Sequence, residues 1–269
     1  DDVLIIQDAQ RNNFKYNKHD IISQQLQETL FYEKKTIIEK CIFGVDLNDK
    51  AVQICRLRLW IELLKNAFYK DGIMQTLPNI DINIKTGNSC ISRLPFDINS
   101  KDTLGKKLNI NGHTKIIADM KKQYEMYVST DDKALKKDIV SKLNELDRLY
   151  IHPVLQGSLD EKENARNEQI NKLYKGSLEW SIQFSEILDN EGRFLGFDCI
   201  IGNPPYIQLQ SLHEDTKRYE QLGYDSYDRN GDIYCLFIEL ATKLVKKNGY
   251  ISYITSNKWL KAGYGSKIR

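Results

Sequence analysis

No apolar run in this chain approaches the length of a membrane span, and no signal peptide opens it. Neither sign of charge dominates: 39 Lys and Arg stand against 37 Asp and Glu, a formal net charge of +2. That excludes a chain-wide polyanion-binding surface, so a nucleic-acid contact must be a local patch. Cys41, Cys55, Cys90, Cys199 and Cys235 form no Cys-x-x-Cys pair, and no metal site is expected from them. Each sits beside apolar neighbours, so buried free thiols in a reducing cytoplasm are the expectation. Proline is scarce, 5 in 269 residues, and two of the five are adjacent.

Those two lie in "IIGNPPYI", residues 200–207. Adjacent prolines cannot continue a central strand or a helix, because they lack the N–H donor and their rings clash. A strand therefore stops here and presents Asn203-Pro204-Pro205-Tyr206 as a stiff, polar, aromatic tip. The chain around it has the composition of an ordinary soluble protein, 41% hydrophobic and 28% charged. Its 269 residues suit one large α/β domain or two small ones.

Along the chain, residues 3–7 read as a short strand and residues 20–40 as one or two helices, with Ile21, Ile22, Leu26, Leu30 and Phe31 apolar. "CIFGVDLND" then changes character. Cys41 to Val45 reads as a buried strand closed by Asp46, and Asn48 or Asp49 can cap the following helix. That helix, about 51–66, carries Val52, Cys55, Leu59 and Leu63 on one stripe with Trp60 beside it. Further strands are expected at 82–86, in "FDCIIGNPPY" and in "YISYITSN". A helix beginning near Asp232 is expected to stop at "KKNG". Strands alternating with helices predict a mostly parallel sheet with ligands at the carboxyl ends of its strands. Between the second and third strands, Ile116, Met120, Tyr124 and Tyr127, then Leu135, Ile139, Leu143, Leu146 and Leu149, have the spacing of a helical hairpin. The hairpin is either a solvated insertion or an arm that faces DNA.

The tip has a chemistry of its own. An exocyclic amine on a nucleobase is a poor nucleophile, because its lone pair is delocalised into the ring. Two acceptors that take both N–H bonds would draw the nitrogen toward a tetrahedral shape and free the lone pair. The side-chain oxygen of Asn203 and the carbonyl of Pro204 are the candidates, in a segment with few competing donors. Tyr206 offers a flat face for an extruded base. The plain alternative is a rigid loop that only ends a strand. Upstream, Asp46 closes its strand where a carboxylate can accept both ribose hydroxyls of an adenosine-type cofactor, or simply favour a helix start. Leu47 would then lie against the adenine. Asn88 in "TGNS" either pairs with the adenine amine or is an ordinary turn residue.

These pieces, in this order, resemble the S-adenosylmethionine-dependent, adenine-specific DNA methyltransferases of restriction–modification systems. The likeness is strongest to long chains that fuse methyltransferase and nuclease. The matching stretches are "CIFGVDLNDKAVQICRLRLWIELL", "IKTGNS", "LEWSIQFSEIL", "FDCIIGNPPYI" and "GDIYCLFIELATKLVKKNGYISYITSNKWLKAGYGSKIR", about half the chain. The tetrapeptide alone is shared with guanine-N2 and protein-glutamine methyltransferases; the other stretches are more specific. The resemblance implies a partial Rossmann-like α/β methyltransferase sheet with an inserted helical hairpin. Its parts would be a helical lead-in (1–40), a cofactor-side half (41–99), a helical insertion (100–180) and a catalytic half (181–269). It implies that Asn203, Pro204, Pro205 and Tyr206 bind the target adenine, and that Asp46, Leu47 and Asn88 bind the cofactor. Asp232 and Tyr234 would pack near the site, and Lys258 and Trp259 would meet the substrate. Double-stranded DNA is the implied partner, with nuclease and target-recognition domains outside this chain, in the cytoplasm.

One part of the pattern is missing. Such enzymes carry a glycine-rich loop after the first strand, which wraps the methionine part of the cofactor. Residues 1–20 hold no glycine. The chain, which opens at Asp1 without Met and stops at Arg269, is expected to be a piece of a longer protein. Weak or absent cofactor binding is expected of the piece alone. The first strand would lie mid-sheet, where a gap would leave two rows of backbone groups unpaired, so either residues 3–7 replace it or the fold relies on material outside this chain. The functional expectation is methyl transfer to N6 of a flipped adenine. The alternatives are methylation of a guanine amine in RNA or of a protein glutamine, and a non-catalytic DNA-binding fragment.

Overall fold

The computed structural model describes residues 6–7, 11–75, 83–93, 110–130, 134–135, 137–142, 168–189 and 193–269. The chain divides into two compact units, Asp1–Thr86 and Gly87–Arg269.

In the first unit, α1 (Ile21–Lys40) is a single helix. Asp20 starts it by accepting the backbone N–H groups of Ile22 and Ser23. Its buried side is Ser23, Gln27, Phe31, Ile38 and Glu39, whereas Ile21 and Ile22 are each 75% exposed. The first two turns therefore face their polar side inward, where the Gln27 amide donates to the Ala67 carbonyl at 3.2 Å. At the far end, the buried Asn83 amide donates to the carbonyls of Glu39 and Ile38 at 2.6 and 3.3 Å. Those are carbonyls without a partner inside the helix. The helix thus persists to Lys40, and Cys41 is its exposed cap rather than a strand residue. Strand β1 is correspondingly short, Gly44–Asp46.

Asn48 caps α2 (Asp49–Leu64), accepting the Lys50 N–H at 3.0 Å. Val52 and Leu63 are fully buried, while Ile54, Leu57, Trp60 and Ile61 are exposed. Leu63 joins Phe31, Ile38 and Phe68 in a core flanked by Tyr16, Ile42 and Leu59. Phe31 and Phe68 meet edge to face at 5.4 Å. Strands β2 (Tyr69–Lys70) and β3 (Ile73–Met74) form a hairpin. Its turn, Asp71-Gly72, has φ of 52° and 78°, the two positive values that a type I′ turn demands. Strand β4 (Ile84–Thr86) runs parallel to β1, with Asp46 opposite Thr86. Residues 3–5 lie outside the described residues, and Gln7 bridges Asn13.

In the second unit, α3 (Ile110–Ser129) buries Met120, Tyr124 and Tyr127. Residues 137–142 are helical, with Ile139 fully buried. The side chain of Ile116 and residues 143–150 lie outside the described residues. The Lys121 ammonium donates to the carbonyls of Leu188 and Asp189, which ties α3 to the turn at Ser185–Ile187. Beside that turn, Trp180, Phe184, Phe194 and Phe197 pack mostly edge to face, with ring centroids 5.5 to 6.3 Å apart. The buried Glu179 carboxylate accepts from the Arg93 N–H and the Ser92 hydroxyl, each at 3.0 Å.

Strand β5 (Phe197–Gly202) pairs in parallel with β6 (Val245–Tyr253). The crossover contains α4 (Glu214–Gln221) and α5 (Tyr234–Leu244). Helix α5 buries Tyr234, Cys235, Leu236, Leu240, Ala241 and Leu244. It ends at Leu244, not at "KKNG": those residues belong to a bulge in β6. Phe197 pairs with Val245 and Cys199 with Tyr250, so Asp198 alone opposes Lys246–Gly249. The Lys246 ammonium holds the Asp198 carboxylate at 2.9 Å, and Asn248 takes a φ of 70°. Both units carry a parallel strand pair flanked by helices, a mixed α/β architecture.

Cys90 and Cys235 are buried, but Cys41 and Cys199 are exposed and Cys55 is partly covered. Short strands explain the departure: Cys41 precedes β1, and among the described residues β5 pairs only with β6. Burial pushes the Cys235 thiol up to about 11 and raises the Cys90 thiol as well. Iodoacetamide at pH 8 is therefore expected to alkylate Cys41 and Cys199 first. Cys90 and Cys235 should react only with unfolding, as peptide mass mapping over time would record. Early loss of the Cys235 thiol would contradict this. Among the described residues no helix is long and apolar enough to cross a membrane.

Candidate active site

Strand β5 delivers the tip. Glycine at 202 spares the Tyr253 ring, since a Cβ would lie 2.9 Å from its Cε1 across the sheet and would displace it. The Ile254 N–H donates to the Gly202 carbonyl at 3.1 Å, which carries the pairing one step past β6. Asn203 follows, exposed, and its side chain has no hydrogen-bond partner among the described residues. Pro204 is buried, and its carbonyl likewise accepts no bond among them. Two acceptors at successive residues are thus uncommitted, and the two prolines supply no N–H that could occupy them.

Tyr206 is 52% exposed. Its hydroxyl donates to the Ile254 carbonyl at 2.8 Å, and its ring meets the Tyr234 ring edge to face, 6.0 Å apart at 85°. Beyond Tyr206 the chain is stitched to the approach of α5. Ile233 N–H donates to the Ile207 carbonyl and Leu209 N–H to the Gly231 carbonyl, each at 2.9 Å, and Gln208 bridges Asp232. Asp232 and Tyr234, expected near the tip, are therefore brought to it. The Tyr234 hydroxyl lies 3.0 Å from the Tyr264 hydroxyl, which donates to an oxygen of Asp232 at 3.2 Å. Burial is the chief cause that raises the Tyr234 phenol far above its ordinary value. Tyr264 was not anticipated. The signal that marks it is "AGYG", an aromatic between glycines just after a strand.

Lys258 and Trp259 open the turn Lys258–Leu260 after β6. Lys258 is exposed, and its ammonium has no partner among the described residues. The Trp259 carbonyl accepts from the Arg269 guanidinium at 2.5 Å. No hydrogen bond joins either residue to the tip among the described residues. Asn88 is held at both ends of its amide. Its oxygen accepts the Cys90 N–H at 3.1 Å, and its nitrogen donates to the Tyr219 hydroxyl at 2.8 Å. The turn role suffices to account for it.

In the other unit, Asp46 is exposed at the end of β1. One carboxylate oxygen accepts the Asn48 N–H at 2.7 Å, and the second has no partner among the described residues. Leu47, beside it, is 70% exposed. A free carboxylate oxygen next to an open apolar side chain fits the ribose and adenine end of an adenosine-type cofactor.

Residues 40–269 match the profile of the Eco57I restriction-modification methylases. The chain belongs to that family. Its two parallel strand pairs with their helices form a partial Rossmann-like methyltransferase fold. Among curated relatives, a Methanocaldococcus jannaschii protein, provisionally named a type II restriction enzyme and methyltransferase, is 26% identical over 89% of this chain and 23% of its own length. The type II restriction enzyme and methyltransferase RM.Eco57I of Escherichia coli is 24% identical over 100% of this chain and 19% of its own. The adenine-specific methyltransferase BrxX of Escherichia coli is 24% identical over 83% of this chain and 18% of its own. The chain thus spans about a fifth of the length of these relatives. No solved structure matches it.

Proposed function

We propose that the chain is the methyltransferase part of a restriction–modification enzyme, and that it methylates N6 of an adenine flipped out of duplex DNA. The observation that carries this reading is the pair of uncommitted acceptors at Asn203 and Pro204, beside the half-exposed ring of Tyr206. An adenine seated there would donate both amine N–H groups to these acceptors, which would free its lone pair for attack on a methyl. The bond from that methyl to its donor would break as the new C–N bond forms, and the surplus proton would leave afterwards. Tyr206 would stack on the base; comparable stacking contributes about 1–3 kcal/mol. When bound, S-adenosylmethionine supplies a methyl on a positively charged sulfur. Asp46, with its free oxygen, would hold the ribose hydroxyls, and Leu47 would cover the adenine. Lys258 would meet the phosphate backbone near the site. Most of the rate gain would come from positioning the two reactants.

The names of the fused relatives support a restriction-enzyme part elsewhere in the protein. A target-recognition part outside this chain and action in the cytoplasm belong to the same proposal. The test is transfer of a labelled methyl by the whole protein to duplex DNA, structured RNA and a glutamine-containing protein, side by side. Label recovered as N6-methyladenine is the expected result. Label in RNA or in protein alone would overturn the reading.

A further inference from the structure

The chemistry just described leaves unused the hydroxyl relay beneath Tyr206. We propose that Tyr264 is a positioning residue for the tip, joining the Tyr234 hydroxyl to the Asp232 carboxylate and so fixing the platform on which Tyr206 rests. This rests on the methyltransferase reading above.

The order of the relay follows from its ends. A carboxylate only accepts, so the Tyr264 hydroxyl donates to Asp232 at 3.2 Å. Its single proton is then committed, and the Tyr234 hydroxyl donates to it at 3.0 Å. Tyr234 has no exposed surface, so its hydroxyl must find a partner inside the protein. One end of the relay touches the tip and the other is held just beyond it. Tyr234 supplies the ring against which Tyr206 leans. Asp232 sits in the bridge to Gln208, two residues beyond Tyr206.

The segment that carries Tyr264 is shaped to bring it there. At Gly265 a Cβ would fall 1.9 Å from the Trp259 carbonyl oxygen, so only glycine allows the turn Gly263–Lys267 to fold back so closely. At Gly231 a Cβ would stand 3.3 Å from the Tyr264 ring, on the stretch that Tyr264 must approach. Arg269 fastens the fold-back with bonds to the carbonyls of Trp259 and Ala262, at 2.5 and 3.1 Å. Tyr264 therefore couples the segment after β6 to the strand tip through two hydroxyls.

Tyr264→Phe keeps the ring and removes both bonds. In the full-length protein, single-turnover methylation is expected to slow about tenfold, the effect of losing roughly one hydrogen bond's worth of alignment. The fluorescence rise of a 2-aminopurine at the target position should shrink with it. Duplex affinity and melting temperature should hold. Tyr234→Phe breaks the same relay, so the double variant should be no slower than the slower single one. Asp232→Asn reads the relay from its other end and should slow transfer similarly, should Tyr264→Phe fold poorly. Asn203→Ala separates the two levels of the argument. If that variant methylates at the parental rate, the methyltransferase reading falls and takes this inference with it. If it is inactive while Tyr264→Phe keeps the parental rate, this inference alone is overturned. A Tyr264→Phe protein that loses affinity, rate and melting temperature together would show a merely structural tyrosine.

Discussion

Asn203→Ala should lower the methylation rate of the full-length protein by about a thousandfold, the upper range for deleting one preorganised polar group at a reacting centre. The alanine removes one of two acceptors and leaves the other, the Pro204 carbonyl, in place. One acceptor can orient an amine, but it cannot take both N–H bonds, and the lone pair stays in the ring. Folding should survive, because Asn203 is exposed and its side chain is bonded to nothing among the described residues. Methyl incorporation into duplex DNA, measured alongside a thermal melt, checks both halves. A rate within tenfold of the parent would remove Asn203 from the chemistry.

The second large effect concerns the cofactor. This chain alone is expected to bind S-adenosylmethionine with a dissociation constant near the millimolar range. Asp46 has one free oxygen for the ribose. Asn88 would have to release Tyr219 or Cys90 before it could serve the adenine. The methionine carboxylate and amine usually meet backbone groups of a glycine-rich turn, where close approach needs residues without a Cβ. Residues 1–20 contain no glycine. Two or three missing charge-assisted hydrogen bonds, at about 1.5–3 kcal/mol each, would turn a micromolar site into a millimolar one. Titration calorimetry on the 269-residue chain decides it. A dissociation constant near one micromolar would mean that other residues take over the turn's work.

Where local chemistry governed, the sequence was readable. Asn48 caps α2, Val52 and Leu63 mark its inner stripe, and the prolines end β5 where their missing donors require. Met120, Tyr124 and Tyr127 sit inward on α3 as their spacing demands. The departures arise where a distant partner outweighs local preference. Lys-Lys-Asn-Gly has the composition of a helix stop, but Lys246 finds Asp198 across the sheet and the four residues become a bulge. Ile21 and Ile22 look like core, yet Gln27 has a carbonyl to bind from the loop after α2, and the helix rotates accordingly. The Asp71-Gly72 hairpin went unread, although Asp-Gly is a hairpin dipeptide. The bonds of Tyr264 to Tyr234 and Asp232, and that of Asn88 to Tyr219, were not legible, since the partners lie far off in sequence.

The bulge in β6 also acts as a ruler for the tip. Val245 is anchored opposite Phe197, and everything beyond is placed by how much chain is spent on Lys246–Gly249 before pairing resumes at Tyr250. Side chains alternate across a sheet, so a change of one residue there alters parity as well as distance. With one residue fewer and the pairing kept, Ile254 would slide into the place of Tyr253 opposite Gly202. The carbonyl that holds the Tyr206 hydroxyl would move off by one step with it. Gly249 has little room to absorb such a change, since even a Cβ would come within 2.6 Å of the Val245 side chain and 2.8 Å of the Asp198 carbonyl oxygen. The length of a polar kink at the base of the sheet is thereby part of the aim of an aromatic ring at its top.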